Sequence, residues 1–168
     1  MKRLFAIALP LYALDQVTKW WVISRLALSH EWPPIDPDAH IALIPGWFHL
    51  VYWANTGAAF SILRDNNWFF VVLSVLTLIG LLIAAARGVF ADRLSRTGVG
   101  LLIAGILGNV TDRLLHRHVV DFLLVDLHVR FADPWPAFNV ADSCICIAVG
   151  LFILATLREE AAKKKASG

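Results

Sequence analysis

Charge is scarce in this chain. Of its 168 residues only 17% are charged, 58% are hydrophobic, and the mean hydropathy is +0.66. Soluble domains run at about 25% charged and about 45–50% apolar residues, so a soluble globular protein is excluded, and so is a disordered one. The net charge of +2 is too small for a nucleic-acid partner. Cysteine is almost missing. Cys144 and Cys146 lie two apart in an apolar run, and on a helix such neighbours do not face each other. A disulfide framework and a metal knuckle are thereby excluded. No internal repeat is present, and the length allows one domain with few membrane crossings.

The missing charges are not spread evenly. None occurs between Asp65 and Arg87, and none between Asp142 and Arg158. Runs of about 20 apolar residues read as transmembrane helices. The expected fold is an α-helical membrane protein with four transmembrane helices, spanning about 4–28, 67–86, 95–115 and 139–157 in a single domain. Lys2 and Arg3 before an apolar run resemble the start of a signal peptide, but no A-x-A site follows. A retained first helix is therefore expected.

Four spans put both termini on one side. Lys2, Arg3, Arg87, Arg93, Arg96, Arg158 and Lys163–Lys165 all fall on that side, against Arg64, Arg117 and Arg130 on the other. The positive-inside rule makes the termini cytoplasmic. The 29–66 and 116–138 stretches then face outward, with a small β-sheet and a short surface segment among them. Ile41–Trp53 reads as one or two strands around Pro45-Gly46. Leu123–Phe131 alternates from Val125 onward and reads as another. Trp20, Trp21, Trp47, Trp53, Trp68 and Trp135 read as interfacial belts. The Lys-rich tail reads as a solvated end near anionic lipid.

An ionisable residue inside a span costs about 2.5–3.5 kcal/mol on insertion scales, so each needs a reason. Asp15 and Lys19 are spaced i, i+4 and neutralise each other, either as a self-satisfied pair or as an anchor beside a polar site. Asn109, Asp112 and Arg113 end the third span. An interfacial Arg113 paired with Asp112 accounts for those two but not for the deeper Asn109. Asn139 and Asp142 fit an Asn-x-x-Asp variant of a capping box. Capping accounts for Asp142 but leaves Asp121, a lone acid in Val119–Leu124, unexplained. Two carboxylates near one surface also fit a dyad, because two acids sharing a site divide their pKa values between acid and base roles. Asn55-Thr56-Gly57 reads as a turn hinged at Gly57, with Asn55 placed to bond a substrate backbone.

Other chemistries lack their residues. There is no His-x-x-x-His or Cys/His ligand set, so no metal and no cofactor is expected. No Ser-Lys dyad has an evident position, and the Gly-x-Gly-Asp of presenilin-type proteases is absent. A small transporter or assembly factor remains the alternative. It would spread polar groups over several helices at mid-depth, whereas Asn109 through Asp142 gather at one surface.

Five segments together resemble the lipoprotein signal peptidases (signal peptidase II) of bacteria: Asp15-Gln16-Val17-Thr18-Lys19, Asn55-Thr56-Gly57-Ala58-Ala59-Phe60, Gly108-Asn109-Val110-Thr111-Asp112-Arg113, Val119-Val120-Asp121-Phe122 and Phe138-Asn139-Val140-Ala141-Asp142. The resemblance implies a monomeric inner-membrane aspartyl endopeptidase. It implies substrates that are prolipoproteins with a diacylglyceryl-modified cysteine, cut on the amino side of that cysteine, with the acyl chains left in membrane lipid. It makes Asp121 and Asp142 catalytic. Asn55, Gly57, Asn109, Arg113 and Asn139 would line the site. Asp15, Lys19 and Asp112 would be structural supports, Asp112 orienting Arg113. The chain departs from the family where Arg117 and His118 stand in a stretch that often carries Gly, a residue suited to positive φ.

Overall fold

A computed structural model describes residues 2–26, 40–57, 63–129 and 135–167. Four helices appear among them: α1 (Lys2–Leu26), α2 (Asn67–Ala86), α3 (Arg93–Leu115) and α4 (Val140–Ser167). Between them lie strands β1 (Ile41–Ile44), β2 (Phe48–Asn55), β3 (Val119–Val125) and β4 (Trp135–Phe138). α2, α3 and α4 are each long and apolar enough to cross a membrane. α1 has the length but carries Asp15 and Lys19 on its buried stripe of Leu4, Ala8, Asp15, Lys19, Val22 and Leu26. That stripe keeps the helical spacing of about 3.6 residues, so the ionised pair points at the core and not at the surroundings.

α3 is the central helix and packs against the other three. Asp92 starts it, accepting from Ser95 N at 2.9 Å, as an N-cap should. Its glycines set how closely α1 and α4 approach. A Cβ on Gly105 would sit 2.5 Å from Ala141 O, and one on Gly108 would sit 2.5 Å from Asp15 Oδ2 and 2.8 Å from Ala141 Cβ. Small residues at such contacts let backbones meet closely in membrane bundles. We expect Gly108→Ala to cost about 1–3 kcal/mol by overpacking, because neither Asp15 nor Ala141 has room to yield. A Cβ on Gly80 of α2 meets nothing within 4 Å, so Gly80→Ala should leave the melting temperature unchanged or raise it. Equal melting of the two variants would refute the packing argument.

The sheet is antiparallel in the order β1-β2-β3-β4. β1 and β2 form the expected hairpin, with Gly46 at φ 74° and Trp47 N bonded to Ile44 O at 3.0 Å. β3 corrects the alternating strand expected from Val125 onward. The strand is Val119–Val125, and 126–129 are irregular, with His128 at φ 55°. β3 lies between β2 and β4 and packs on α1 through Val120 and Phe122 against Val22 and Leu26. Covered on both sides, it reads as an apolar run broken only by Asp121. No strand is expected from the sequence at Trp135–Phe138, which carries Pro136. β4 is an edge strand, where a proline costs no ladder bond.

α4 continues to Ser167, past the expected end near 157. Ala, Glu and Lys are good helix formers, and Lys163 bonds Glu159 at 2.5 Å across one turn. Trp20, Trp21, Trp47, Trp68 and Trp135 are exposed, and Trp53 is half-buried. Residues 27–28 at the end of the first expected span, the short surface segment expected within 29–66, Ala58–Phe60 of the second motif and 130–131 of the expected strand lie outside the described residues.

Candidate active site

The antiparallel ladders assemble the site. Leu123 pairs with Phe138, and continuing that register places Asp121 beside the entrance to α4. Asn55 pairs with Val119, and Trp53 with Asp121, so Asn55 and Asp121 share a face as diagonal neighbours. Asn55 Nδ2 donates to Asp121 Oδ2 at 2.9 Å, and Asn139 Nδ2 donates to Asp121 Oδ1 at 2.7 Å. Asp121 is 1% exposed and Asn139 is fully buried. Burial, and then the Asp142 charge nearby, push the Asp121 carboxyl well above the usual carboxylate range, although both amide donors pull it down. Removal from water outweighs two hydrogen bonds here.

Asp142 sits on the first turn of α4. Its N–H donates to Asn139 Oδ1 at 2.8 Å, and its Oδ2 accepts from Asn139 N at 3.2 Å. The Asn-x-x-Asp capping box is therefore real. It does not exhaust Asp142, whose Oδ1 accepts from Asn109 Nδ2 at 2.7 Å. Asn139 thus holds one carboxylate through its amide nitrogen and positions the other through its amide oxygen. The alternatives of cap and dyad are compatible.

Beneath the pair lies a charged knot. Lys19 Nζ is 2.9 Å from Asp15 Oδ2, 2.9 Å from Asp112 Oδ2 and 3.1 Å from Asn109 Oδ1. Asp15 Oδ1 accepts from Ala141 N at 2.8 Å, and Asp112 Oδ2 accepts from Val120 N at 3.0 Å. α1, α3, β3 and α4 all meet at Lys19. Asn109 Oδ1 takes donors from both Lys19 and Asn139, so its NH2 must face Asp142. The i, i+4 pair forms, and Lys19 also reaches Asp112 and Asn109.

Arg113 corrects another expectation. It is buried, not interfacial, and Asp112 does not orient it. Successive helical residues point about 100° apart, and the Asp112 oxygens are taken by Lys19, Val120 N and Gln16. Arg113 Nη2 instead donates to Gly57 O at 2.6 Å, and its guanidinium stacks 4.4 Å from the Phe70 ring centroid. Its Nη1 is buried without a partner among the described residues. Gly57 N also bonds Asn55 Oδ1 at 2.9 Å, so the 55–57 turn joins Asp121 to Arg113.

Two polar residues were missed. Gln16 Nε2 lies 3.2 Å from Asp15 Oδ2, Gly108 O and Asp112 Oδ1. Its signal was available, an uncharged amide inside a span. Asn67 Nδ2 donates to Arg113 O at 3.1 Å, and nothing in its local sequence marks that role.

Arg117 has φ 65°, the left-handed backbone to which a glycine is suited. An L-residue there costs about 1–2 kcal/mol, while glycine loses about 0.5–1 kcal/mol in chain entropy. Arg117→Gly should therefore stabilise the protein by about 0.5–1 kcal/mol. Chemical denaturation in micelles would show it, and a lower midpoint would contradict it.

Comparison with known proteins follows this geometry. The model of the family described as Signal peptidase (SPase) II matches residues 7–158. A lipoprotein signal peptidase of Symbiobacterium thermophilum is 40% identical over 148 residues, covering 88% of this chain and 90% of the relative. That of Bacillus subtilis is 35% identical over 162 residues, covering 96% and 97%. A bacterial membrane enzyme solved by the in meso method at 2.3 Å aligns with a TM-score of 0.80 at 29% identity, covering 97% of this chain and 92% of that one.

Proposed function

The chain belongs to the signal peptidase II family, and from that premise we propose that it removes the signal peptide from prolipoproteins as an aspartyl endopeptidase. The bond cut lies on the amino side of a diacylglyceryl-modified cysteine. The observation that carries the reading is the double use of Asn139, which bonds Asp121 and caps Asp142. One asparagine thereby fixes two carboxylates against each other.

Asp121 and Asp142 are the catalytic pair. They share one proton at working pH, because burial and mutual repulsion oppose a second charge. The ionised member takes a proton from water as its oxygen attacks the scissile carbonyl, and the protonated member donates to the carbonyl oxygen. Collapse of the tetrahedral intermediate breaks the C–N bond, and the amine of the cysteine leaves with a proton from the pair. Asn55, Asn109 and Asn139 hold the carboxylates in place. Nη1 of Arg113, unpartnered among the described residues, is the donor available to a substrate carbonyl, with Gly57 fixing the other arm. Asp15, Lys19 and Asp112 support the whole from beneath.

All four helices cross the bacterial inner membrane as a single chain. Both termini are cytoplasmic, and the sheet and the carboxylates lie at the outer surface. The substrate's acyl chains stay in the bilayer and contribute about 0.8 kcal/mol per buried CH₂. That anchoring delivers the scissile bond at a fixed depth. The test is cleavage of lipidated and unlipidated forms of one prolipoprotein at equal concentration, with and without EDTA. The lipidated form should be cut far faster, and EDTA should change nothing. Equal rates would remove the lipid from the reading, and a rate lost with EDTA and restored by one metal ion would overturn the aspartyl mechanism.

A further inference from the structure

Two cations are buried among the described residues, Lys19 and Arg113, and they are held in different ways. Lys19 sits between carboxylates, 2.9 Å from Asp15 Oδ2 and 2.9 Å from Asp112 Oδ2. Arg113 is 6% exposed, yet among the described residues it has no ion pair. Its guanidinium keeps one hydrogen bond, to Gly57 O, and one ring, with Cζ 4.4 Å from the Phe70 centroid.

The difference has a chemical consequence. An aromatic face carries the negative part of the ring quadrupole and attracts a cation placed over it. It takes no N–H in doing so. A carboxylate in the same place would pair with the guanidinium as a fork, occupying two N–H groups and cancelling the charge. Phe70 therefore supports the charge of Arg113 without consuming its donors.

The backbone places the ring. Phe70 N bonds Asn66 O at 3.3 Å in the first turn of α2. Asn67, three residues earlier on the same helix face, donates from Nδ2 to Arg113 O at 3.1 Å. The following residue, Val71, is the buried residue of α2. One turn thus grips Arg113 twice, at its main-chain carbonyl and at its side-chain head. Phe69 meets the ring of Phe70 edge-on, with centroids 5.4 Å apart and planes at 76°. α2 packs chiefly on α3, and this turn is where it reaches the site.

We propose that Phe70 is a positioning residue for the cleavage reaction, its ring face fixing the guanidinium of Arg113 while the N–H donors stay available to a substrate carbonyl. The proposal rests on the peptidase reading above. Phe70 touches no reacting atom and acts through Arg113.

The experiment replaces Phe70 in the full chain by mono-, di- and trifluorinated phenylalanine, by Tyr and by Leu. Each form is assayed on a lipidated prolipoprotein in micelles, well below its own melting temperature, and kcat/KM is measured. Fluorine draws charge from the ring face and hardly changes the ring's size. kcat/KM should fall with each added fluorine, to about threefold to thirtyfold below wild type at three, the range a desolvated cation–π contact allows. Phe70→Tyr keeps the face and should stay within about twofold of wild type. Phe70→Leu removes the face and should fall at least as far as the trifluorinated form; if it unfolds, the fluorinated series, which keeps the ring's shape, decides. A merely structural ring would shift melting and leave kcat/KM the same across that series, and this result would overturn the proposal alone. A wild type that does not cut the lipidated substrate would overturn the peptidase reading and the proposal with it.

Discussion

Asp121→Asn and Asp142→Asn are each expected to abolish cleavage while the protein stays folded. The substitution keeps shape and removes one proton function. General acid–base action contributes about 10²–10⁴-fold per group, and the two carboxyls play opposite parts in each half of the reaction, so neither can stand in for the other. The structural penalty is modest by comparison. Asp121 accepts from both Asn55 and Asn139, and an Asn there turns one acceptor into a donor facing a donor, at about 1–3 kcal/mol. Relief of a buried charge offsets part of that. The measurement is turnover of a lipidated prolipoprotein beside a melting curve of each variant. Near-normal turnover by either one would sink the dyad.

Lys19→Met is expected to be the most destabilising single change. The side chain is 2% exposed and neutralises Asp15 and Asp112, which are 1% and 2% exposed. Methionine keeps much of the volume and deletes the charge, leaving two buried carboxylates with no cation between them. Breaking a buried pair in this way costs about 3–5 kcal/mol. The Asn109 amide also loses the donor that helps fix its orientation toward Asp142, so residual folded protein should turn over slowly. Thermal unfolding in micelles checks the first claim. A melting temperature within a degree or two of wild type would show that Gln16, Ala141 N and Val120 N suffice to hold the two acids.

α2 and α4 were legible because charge is absent between Asp65 and Arg87 and between Asp142 and Arg158. α2 needs nothing more than the stretch between Asp65 and Arg87. The β1–β2 hairpin was legible from Pro45-Gly46. β3 was not, because a strand covered on both faces loses the alternation that marks strands, and the nearby alternation after Val125 belongs to irregular chain. β4 was hidden by Pro136. In the site, Asp15–Lys19 and Asn139–Asp142 are local spacings that any helix realises. That Asp121 and Asp142 approach one another depends on the β3–β4 register, which the sequence carries only through its resemblance to a family. Asp112 and Arg113, adjacent in sequence, point to different partners because a helix turns between them.

The bond from Ala141 N to Asp15 joins residues 126 apart, and this gives the enzyme a timetable. At about 5–20 residues per second, the last helix is made roughly 6–25 s after the first. Through that interval α1 holds Asp15 and Lys19 against each other, while Asp112 and then Asp142 have yet to be synthesised. No subset of the elements carries both Asp121 and Asp142, the proposed catalytic pair, before α4 begins. On the proposed roles of those two carboxylates, the nascent chain is its own zymogen until the last helix is made.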